Sequence, residues 1–242
     1  MKLTHEDLLR IRAAFSACRS GGIESVVISE GQVRGISPAG KAAIISRIGV
    51  NTGDAKIGIG RISDLEKRLS VFPGEVIAEG AVNQNNDCSL LMIKTGKSSI
   101  QFRCTAEKFI KYPKSMSDDV VCSFAISKAE VQQLGRAVRT LGAEIITFQF
   151  KKNDQSIHIE CTSPTNETYK TVLEGTAEFD GEAQNIVHVY EGNCLSQLLD
   201  AAAKDVDQVD VVLGEAGSLT TILSGHTMIM MPEANNEGED DE

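Results

Sequence analysis

Two segments of this chain carry the same apolar rhythm at a fixed distance. Leu8, Ile11, Phe15 and Cys18 are spaced 3, 4 and 3 residues apart, and 123 residues further on Val131, Leu134, Val138 and Leu141 repeat that spacing. At about 100° per residue each set forms one stripe along a helix, so each helix must bury that stripe against something apolar. Thr4 with Asp7, and Ser127 with Glu130, stand in capping-box positions; Gly21-Gly22 and Gly142 stand at the ends. Helices are therefore predicted over Thr4–Arg19 and over 127–142. Ile62, Leu65, Leu69 and Phe72 show the rhythm again and predict a helix over Arg61–Phe72, stopped by Pro73-Gly74. Leu195, Leu198, Leu199 and Ala202 give a fourth helix, over Asn193–Lys204.

The remaining stretches alternate with period 2 and are broken by turn signals such as Glu30-Gly31, Thr95-Gly96-Lys97 and Asn153-Asp154. Strands are expected at 23–29, 32–36, 41–50, 75–82, 88–95 and 98–105 in the first half. In the second half they are expected at 119–126, 143–152, 155–163, 167–178, 184–190, 206–213, 217–223 and 226–231. The order helix, strands, helix, strands thus occurs twice. A period of about 120 residues is too long for a solenoid, so each copy is a domain and the class is α+β, two helices on antiparallel sheets per copy. The rhythm fades over 106–118, where Phe109–Tyr112 resembles an edge strand and Pro113–Asp118 an exposed connector. The expected domains are 1–117, with the connector from about residue 106, and 118–232; residues 233–242 are an acidic tail able to bury nothing.

With 41% apolar and 24% charged residues, the chain has ordinary globular composition, so disorder is not the default. Aromatics are 5% with no Trp, which argues against stacking platforms for single-stranded nucleic acid. Six scattered cysteines, with no C-x-x-C, read as reduced core residues. No secretory h-region follows Met1, and no apolar run approaches the length of a membrane span. His5, His158, His188 and His226 stand apart from any triad pattern, and Asp205, Asp207 and Asp210 lack the closing residues of a calcium loop. The reading is of no enzyme, no cofactor and no metal.

The net charge of −10 repels polyanions unless the bases are gathered on one surface. On each predicted helix a base lies opposite the apolar stripe: Arg10, Lys67, Arg136 and Lys204. Arg68, Lys128 and Arg139 lie on the flanks, and Glu6, Asp64 and Asp200 also project near the outward faces. Any exposed helix face carries some Lys and Arg, but a base in this place on all four suits phosphate contacts, which are sequence-independent and salt-sensitive. A base-reading cluster of Arg, Asn and Gln is missing.

The ordered duplication, the segment Ser127-Lys-Ala-Glu-Val-Gln-Gln-Leu-Gly-Arg and the ending Met228-Ile-Met-Met-Pro-Glu before an acidic tail resemble the DNA sliding clamps. That family includes proliferating cell nuclear antigen and the clamps of tailed phages. The resemblance runs from Leu3 to about Glu233 and, with two domains per chain, is to the trimeric clamps. It implies the DNA clamp fold and a homotrimeric ring around duplex DNA that tethers the replicative DNA polymerase after an ATP-dependent clamp loader has opened it. The setting would be intracellular, at the replication fork, in a nucleus or in a host or prokaryotic cytoplasm. The seven bases above would face the DNA. Partner peptides would enter a groove between the domains near Ile36, Ala42, Ile44, Tyr112, Met116, Met231 and Pro232, although Ile36 and Ile44 also read as plain core. The subunit joint would pair Lys108, Phe109, Ile110, Lys111 and Tyr112 with Lys170, Thr171, Val172, Leu173 and Glu174 of a neighbour. Alternatives are a clamp-fold subunit of a heteromeric ring and a non-ring polymerase accessory protein.

Overall fold

The computed structural model describes residues 1–114, 118–174, 177–179 and 185–233. The chain divides into two compact units, Met1–Met116 with Ile222–Met228 and Ser117–Thr221 with Ile229–Glu242.

In the first unit a short strand β1 (Lys2–Leu3) leads into α1 (His5–Ser20). The N-terminal cap is the one the sequence predicts: Asp7 N–H donates to Thr4 Oγ1 at 3.2 Å while the Asp7 carboxylate accepts from Thr4 N–H at 2.8 Å. Leu8, Ile11, Phe15 and Cys18 are all buried, and Ala14 and Ala17 widen the stripe. Strands β2 (Val26–Ser29), β3 (Gln32–Ile36), β4 (Ala42–Arg47) and β5 (Ile57–Ile59) follow, then α2 (Ile62–Leu69) and β6 (Ile77–Val82), β7 (Cys88–Thr95) and β8 (Ser98–Arg103). They form two sheets, β1-β6-β7-β8 and β4-β3-β2-β5, and α1 packs on β3 and β6 while α2 packs on β8.

Helix α2 stops before Phe72, three residues short of the expected end. Val71 and Phe72 N–H groups turn to the i−3 carbonyls of Arg68 and Leu69, the tightening common in a last turn. Pro73 then disfavours the α conformation at Phe72. The expected edge strand at Phe109–Tyr112 is also corrected: Glu107–Phe109 is a 3-10 turn, and no strand follows it up to residue 114.

In the second unit β9 (Val120–Ser127) runs into α3 (Lys128–Leu141), whose cap is the Ser127–Glu130 box and whose end is Gly142 in the left-handed region at φ 59. Next come β10 (Ile145–Lys151), β11 (Ser156–Thr162), β12 (Thr168–Glu174), β13 (Ala177–Phe179), β14 (Asn185–Glu191), α4 (Gly192–Ala202), β15 (Gln208–Gly214), β16 (Leu219–Leu223) and β17 (His226–Met230). The expected single strand 167–178 is thus two, β12 in the sheet β12-β11-β10-β14 and β13 beside β9 in β13-β9-β15-β16. Phe124, Phe148, Phe150 and Tyr190 fill the space between these sheets with ring centroids 5.7–6.3 Å apart. The Tyr190 hydroxyl, fully buried, donates to the Gly217 carbonyl at 2.7 Å. Both units are therefore two helices on antiparallel sheets, in the same order.

Candidate nucleic-acid interface

Seven bases were singled out by sequence, and their surroundings divide them. Lys67 on α2 and Arg136 on α3 are exposed and have no ion-pair partner among the described residues. Lys204 is exposed too, but it lies two residues beyond the end of α4 rather than on it. Its carbonyl accepts from Lys128 Nζ at 2.9 Å, which holds the half-buried Lys128 along the start of α3.

The other three are engaged. Arg10 lies 2.5 Å from Glu6 one turn earlier. Arg68 donates to the Asp64 carbonyl at 2.7 Å and its guanidinium stands 5.4 Å from the centre of the Phe102 ring. Arg139 reaches Asp200 of α4 at 3.4 Å. Gly135 makes that approach possible, since a Cβ there would come 3.1 Å from the Asp200 carboxylate. Arg19 also pairs with Glu66 across α1 and α2 at 2.5 Å. Such exposed ion pairs are weak, so phosphate can compete for Arg10 and Arg139, while Lys67, Arg136 and Lys204 are exposed with no ion-pair partner among the described residues.

The residues expected to line a partner groove are less uniform. Ala42 and Ile44 are fully buried, so these two are core and cannot touch a partner as the chain stands. Ile36 and Pro232 are half-buried and Met231 is 37% exposed; Met116 lies outside the described residues. Glu233, placed in the acidic tail by sequence, donates its N–H to the Val189 carbonyl at 2.7 Å; residues 234–242 lie outside the described residues.

Tyr112 belongs to a network that sequence reading missed. Residues 104–112 leave β8 and lie as a strap on β5. Thr105 N–H donates to the Gly58 carbonyl at 2.9 Å, and a Cβ on Gly58 would come 2.0 Å from the Thr105 oxygen and 3.0 Å from Ile110 Cδ1. Ile110 is buried there, while Lys108 and Lys111 are exposed and Phe109 is 74% exposed. Glu107 is the hub. It lies 2.6 Å from Lys56 Nζ and accepts from the Tyr112 hydroxyl. These hydrogen bonds, Lys56 first and Tyr112 second, hold its carboxyl below the usual carboxylate value. The bond to Glu107 in turn raises Tyr112 and Lys56 above their usual values. The Arg34 guanidinium lies 5.2 Å from the centre of the Tyr112 ring and donates to Ser29 Oγ at 2.7 Å. No local pattern announces this network, because Lys56 and Glu107 are 51 residues apart.

The second half of the expected joint is a strand, β12. It ends its sheet, with Lys170 and Val172 exposed, Thr171 half-buried and Leu173 buried. Glu174 pairs with Ser156 through the backbone, and its side chain lies outside the described residues. In the first unit β8 is an edge of its sheet, whereas 108–112 form no strand.

Of the histidines, His226 meets Ser46 Oγ at 2.5 Å through Nδ1. Ser46 is 1% exposed, so this pair is a buried hydrogen bond rather than a nucleophile open to substrate. Burial holds His226 and His188 below the usual histidine value. No group of metal-binding side chains occurs among the described residues, and none of their helices is long and apolar enough to cross a membrane.

Two copies of a helix-strands-helix-strands unit in this order match the DNA sliding-clamp fold. Solved clamps superpose on nearly the whole chain. Proliferating cellular nuclear antigen from Entamoeba histolytica matches with a TM-score of 0.62 at 13% identity, over 96% of this chain and 98% of that one. A. fulgidus PCNA, solved with the C-terminal region of FEN-1, matches at 0.61 and 16% identity, over 98% and 99%. The Helicobacter pylori beta clamp, solved with a DNA ligase peptide, matches at 0.66 and 13% identity, over 99% of this chain and 68% of the longer bacterial one. No family model and no curated protein matches the sequence.

Proposed function

We propose that this chain is a DNA sliding clamp, a non-enzymatic processivity factor that closes as a ring of three around duplex DNA and tethers a DNA polymerase to its template. The observation that carries the reading is the clamp fold itself, matched over nearly the whole chain by clamps of almost the same length. Lys67, Arg136 and Lys204 support it, as free cations on a chain whose net charge is −10. Their contacts would be to phosphates and independent of sequence, which is what a tether that must slide requires. With no phosphate-binding motif in the sequence to drive opening, loading would fall to a separate ATP-dependent loader.

Ring closure would use two of the sheet edges among the described residues, β8 of one copy and β12 of the next. Exposed edges attract a strand unless something blunts them, and the exposed Arg103 and Lys170 stand on these two. Partner proteins would insert a short peptide with apolar anchors; solved clamps are bound to a FEN-1 region and to a ligase peptide, and Ile36, Tyr112, Met231 and Pro232 are the expected residues still reachable. The protein would work inside the cell, at replication forks.

Primer extension on a circular template, with the cognate polymerase and loader, tests the function: longer products are expected, and none would reject it. Light scattering tests the assembly separately. Three chains of 26.0 kDa give about 78 kDa, whereas a chain that stays single or requires a second, different chain would remove the homotrimer.

A further inference from the structure

No disulfide joins any of the six cysteines, yet two of their sulfurs lie side by side. Cys88 opens β7 and Cys104 follows the last residue of β8, and their sulfurs lie 3.8 Å apart. The backbone holds them there: Cys88 N–H donates to the Lys56 carbonyl at 2.8 Å and Cys104 N–H to the Ser89 carbonyl at 3.1 Å. Gly80, on the neighbouring strand β6, leaves room for the inner sulfur; a Cβ at that position would stand 3.0 Å from Cys88 Sγ. Cys104 faces Ser89, the residue next to Cys88, across the end of the β7–β8 pair, and from 3.8 Å the two sulfurs need close only about 1.8 Å to reach bonding distance.

The two thiols also differ in reach. Cys88 is fully buried, whereas Cys104 is half-buried. The hydrogen bond from Cys104 lowers the pKa of Cys88 and raises that of Cys104. Cys88 is therefore the better nucleophile of the two, while Cys104, the less buried, is the sulfur that peroxide can reach. By contrast, burial pushes Cys18 and Cys122 up to about 12 and Cys161 up to about 11.

We propose that Cys88 and Cys104 form a reversible disulfide under peroxide, a modification site that ties the end of edge strand β8 and the strap behind it to β7. Hydrogen peroxide oxidises the Cys104 thiol to a sulfenic acid, forming an S–O bond and releasing one water. The Cys88 sulfur then attacks the Cys104 sulfur, the S–O bond breaks, and the hydroxide leaves as a second water with the Cys88 proton. Two thiols lose two electrons and two protons, and one peroxide is reduced to two waters. A dithiol reductant reverses the bond by exchange. The inference rests on the geometry of the first unit alone and holds whatever the chain binds.

Peptide mapping of the full-length protein after limited hydrogen peroxide tests it, with alkylation of remaining thiols under denaturing conditions. The expected result is a peptide bridged between Cys88 and Cys104, loss of two of the six alkylatable thiols, and recovery of both by dithiothreitol. A bridge between other cysteines, Cys104 carried to sulfinic acid while Cys88 stays reduced, or six unreacted thiols would each overturn it. In Cys88→Ser, dimedone should trap a persistent Cys104 sulfenic acid that wild type passes on; equal trapping in both would also overturn it. If that variant fails to fold, the wild-type map still decides.

Discussion

The division of the seven bases into free and engaged groups makes a quantitative prediction about duplex binding. Lys67 and Arg136 have no anionic partner among the described residues, whereas Arg10 sits 2.5 Å from Glu6 and Arg139 sits 3.4 Å from Asp200. A free base that contacts one phosphate displaces counterions, and its loss should flatten the slope of log K against log salt by about 0.9. Between 50 and 200 mM salt that slope change amounts to roughly a three- to fourfold difference in affinity for each contact. Lys67→Ala and Arg136→Ala should each flatten the slope by about 0.9 for every copy in the ring that touches a phosphate, and the double variant should show about twice the change of either. Arg10→Ala should do less, because it removes a cation whose field Glu6 already cancels in part. Glu6→Gln should go the other way, since it frees Arg10 and steepens the slope. The assay is fluorescence anisotropy of a labelled duplex over a salt series, repeated with a second duplex of unrelated sequence. Unchanged slopes for Lys67→Ala and Arg136→Ala, or a larger loss from Arg10→Ala than from either, would refute the assignment. So would a strong preference for one duplex.

Three further outcomes follow from packing and hydrogen bonding. Tyr190→Phe strands the Gly217 carbonyl that the buried hydroxyl satisfies at 2.7 Å and should cost about 1–3 kcal/mol in urea unfolding with an unchanged m-value. Gly58→Ala drives a Cβ onto the Thr105 oxygen and should loosen the strap so that trypsin cleaves after the already exposed Lys108 and Lys111 faster, while Gly74→Ala, with open space around it, should leave cleavage as in wild type. Glu107, whose folded value is depressed by Lys56 and Tyr112, should stabilise the strap above the unfolded carboxylate value. That contribution is lost as pH falls through the lower folded value, so Glu107→Gln should be less stable near neutrality and show a shallower acid limb in a Tm-versus-pH series.

What could be read from the sequence was local. The Thr4–Asp7 and Ser127–Glu130 boxes lie within four residues, and both are formed as spaced. The stripes at 3.6-residue period found their buried faces, although Leu141 at the last turn is only half-buried. Where a decision depended on distant chain, the reading slipped. Period-2 logic expects one face of a strand to be wet, yet all four residues of β2 and the groove candidates Ala42 and Ile44 on β4 are buried. Phe-Ile-Lys-Tyr at 109–112 alternates like an edge strand, but Ile110 is drawn down onto Gly58 and Tyr112 onto Glu107 and Arg34. Lys204 carries the expected charge at an unexpected place, because Ala203 already caps α4.

Under the proposed reading, the acidic residues that accompany the bases are part of the design rather than a flaw in it. A protein held on DNA by contacts alone must bind tightly, and tight phosphate contacts resist translocation. A closed ring is held by topology, so its inner face needs only enough positive charge to centre the duplex. Pairing Arg10 with Glu6 and Arg139 with Asp200 leaves those bases able to exchange between a carboxylate and a passing phosphate, at a cost set by exposed ion pairs worth only about 0.2–1 kcal/mol in general. Each contact is then cheap to make and to break. The consequence separates the tether from an ordinary binding protein: removing Glu6 and Asp200 should strengthen affinity for linear duplex and, by holding the phosphates longer, slow diffusion of the loaded ring along DNA.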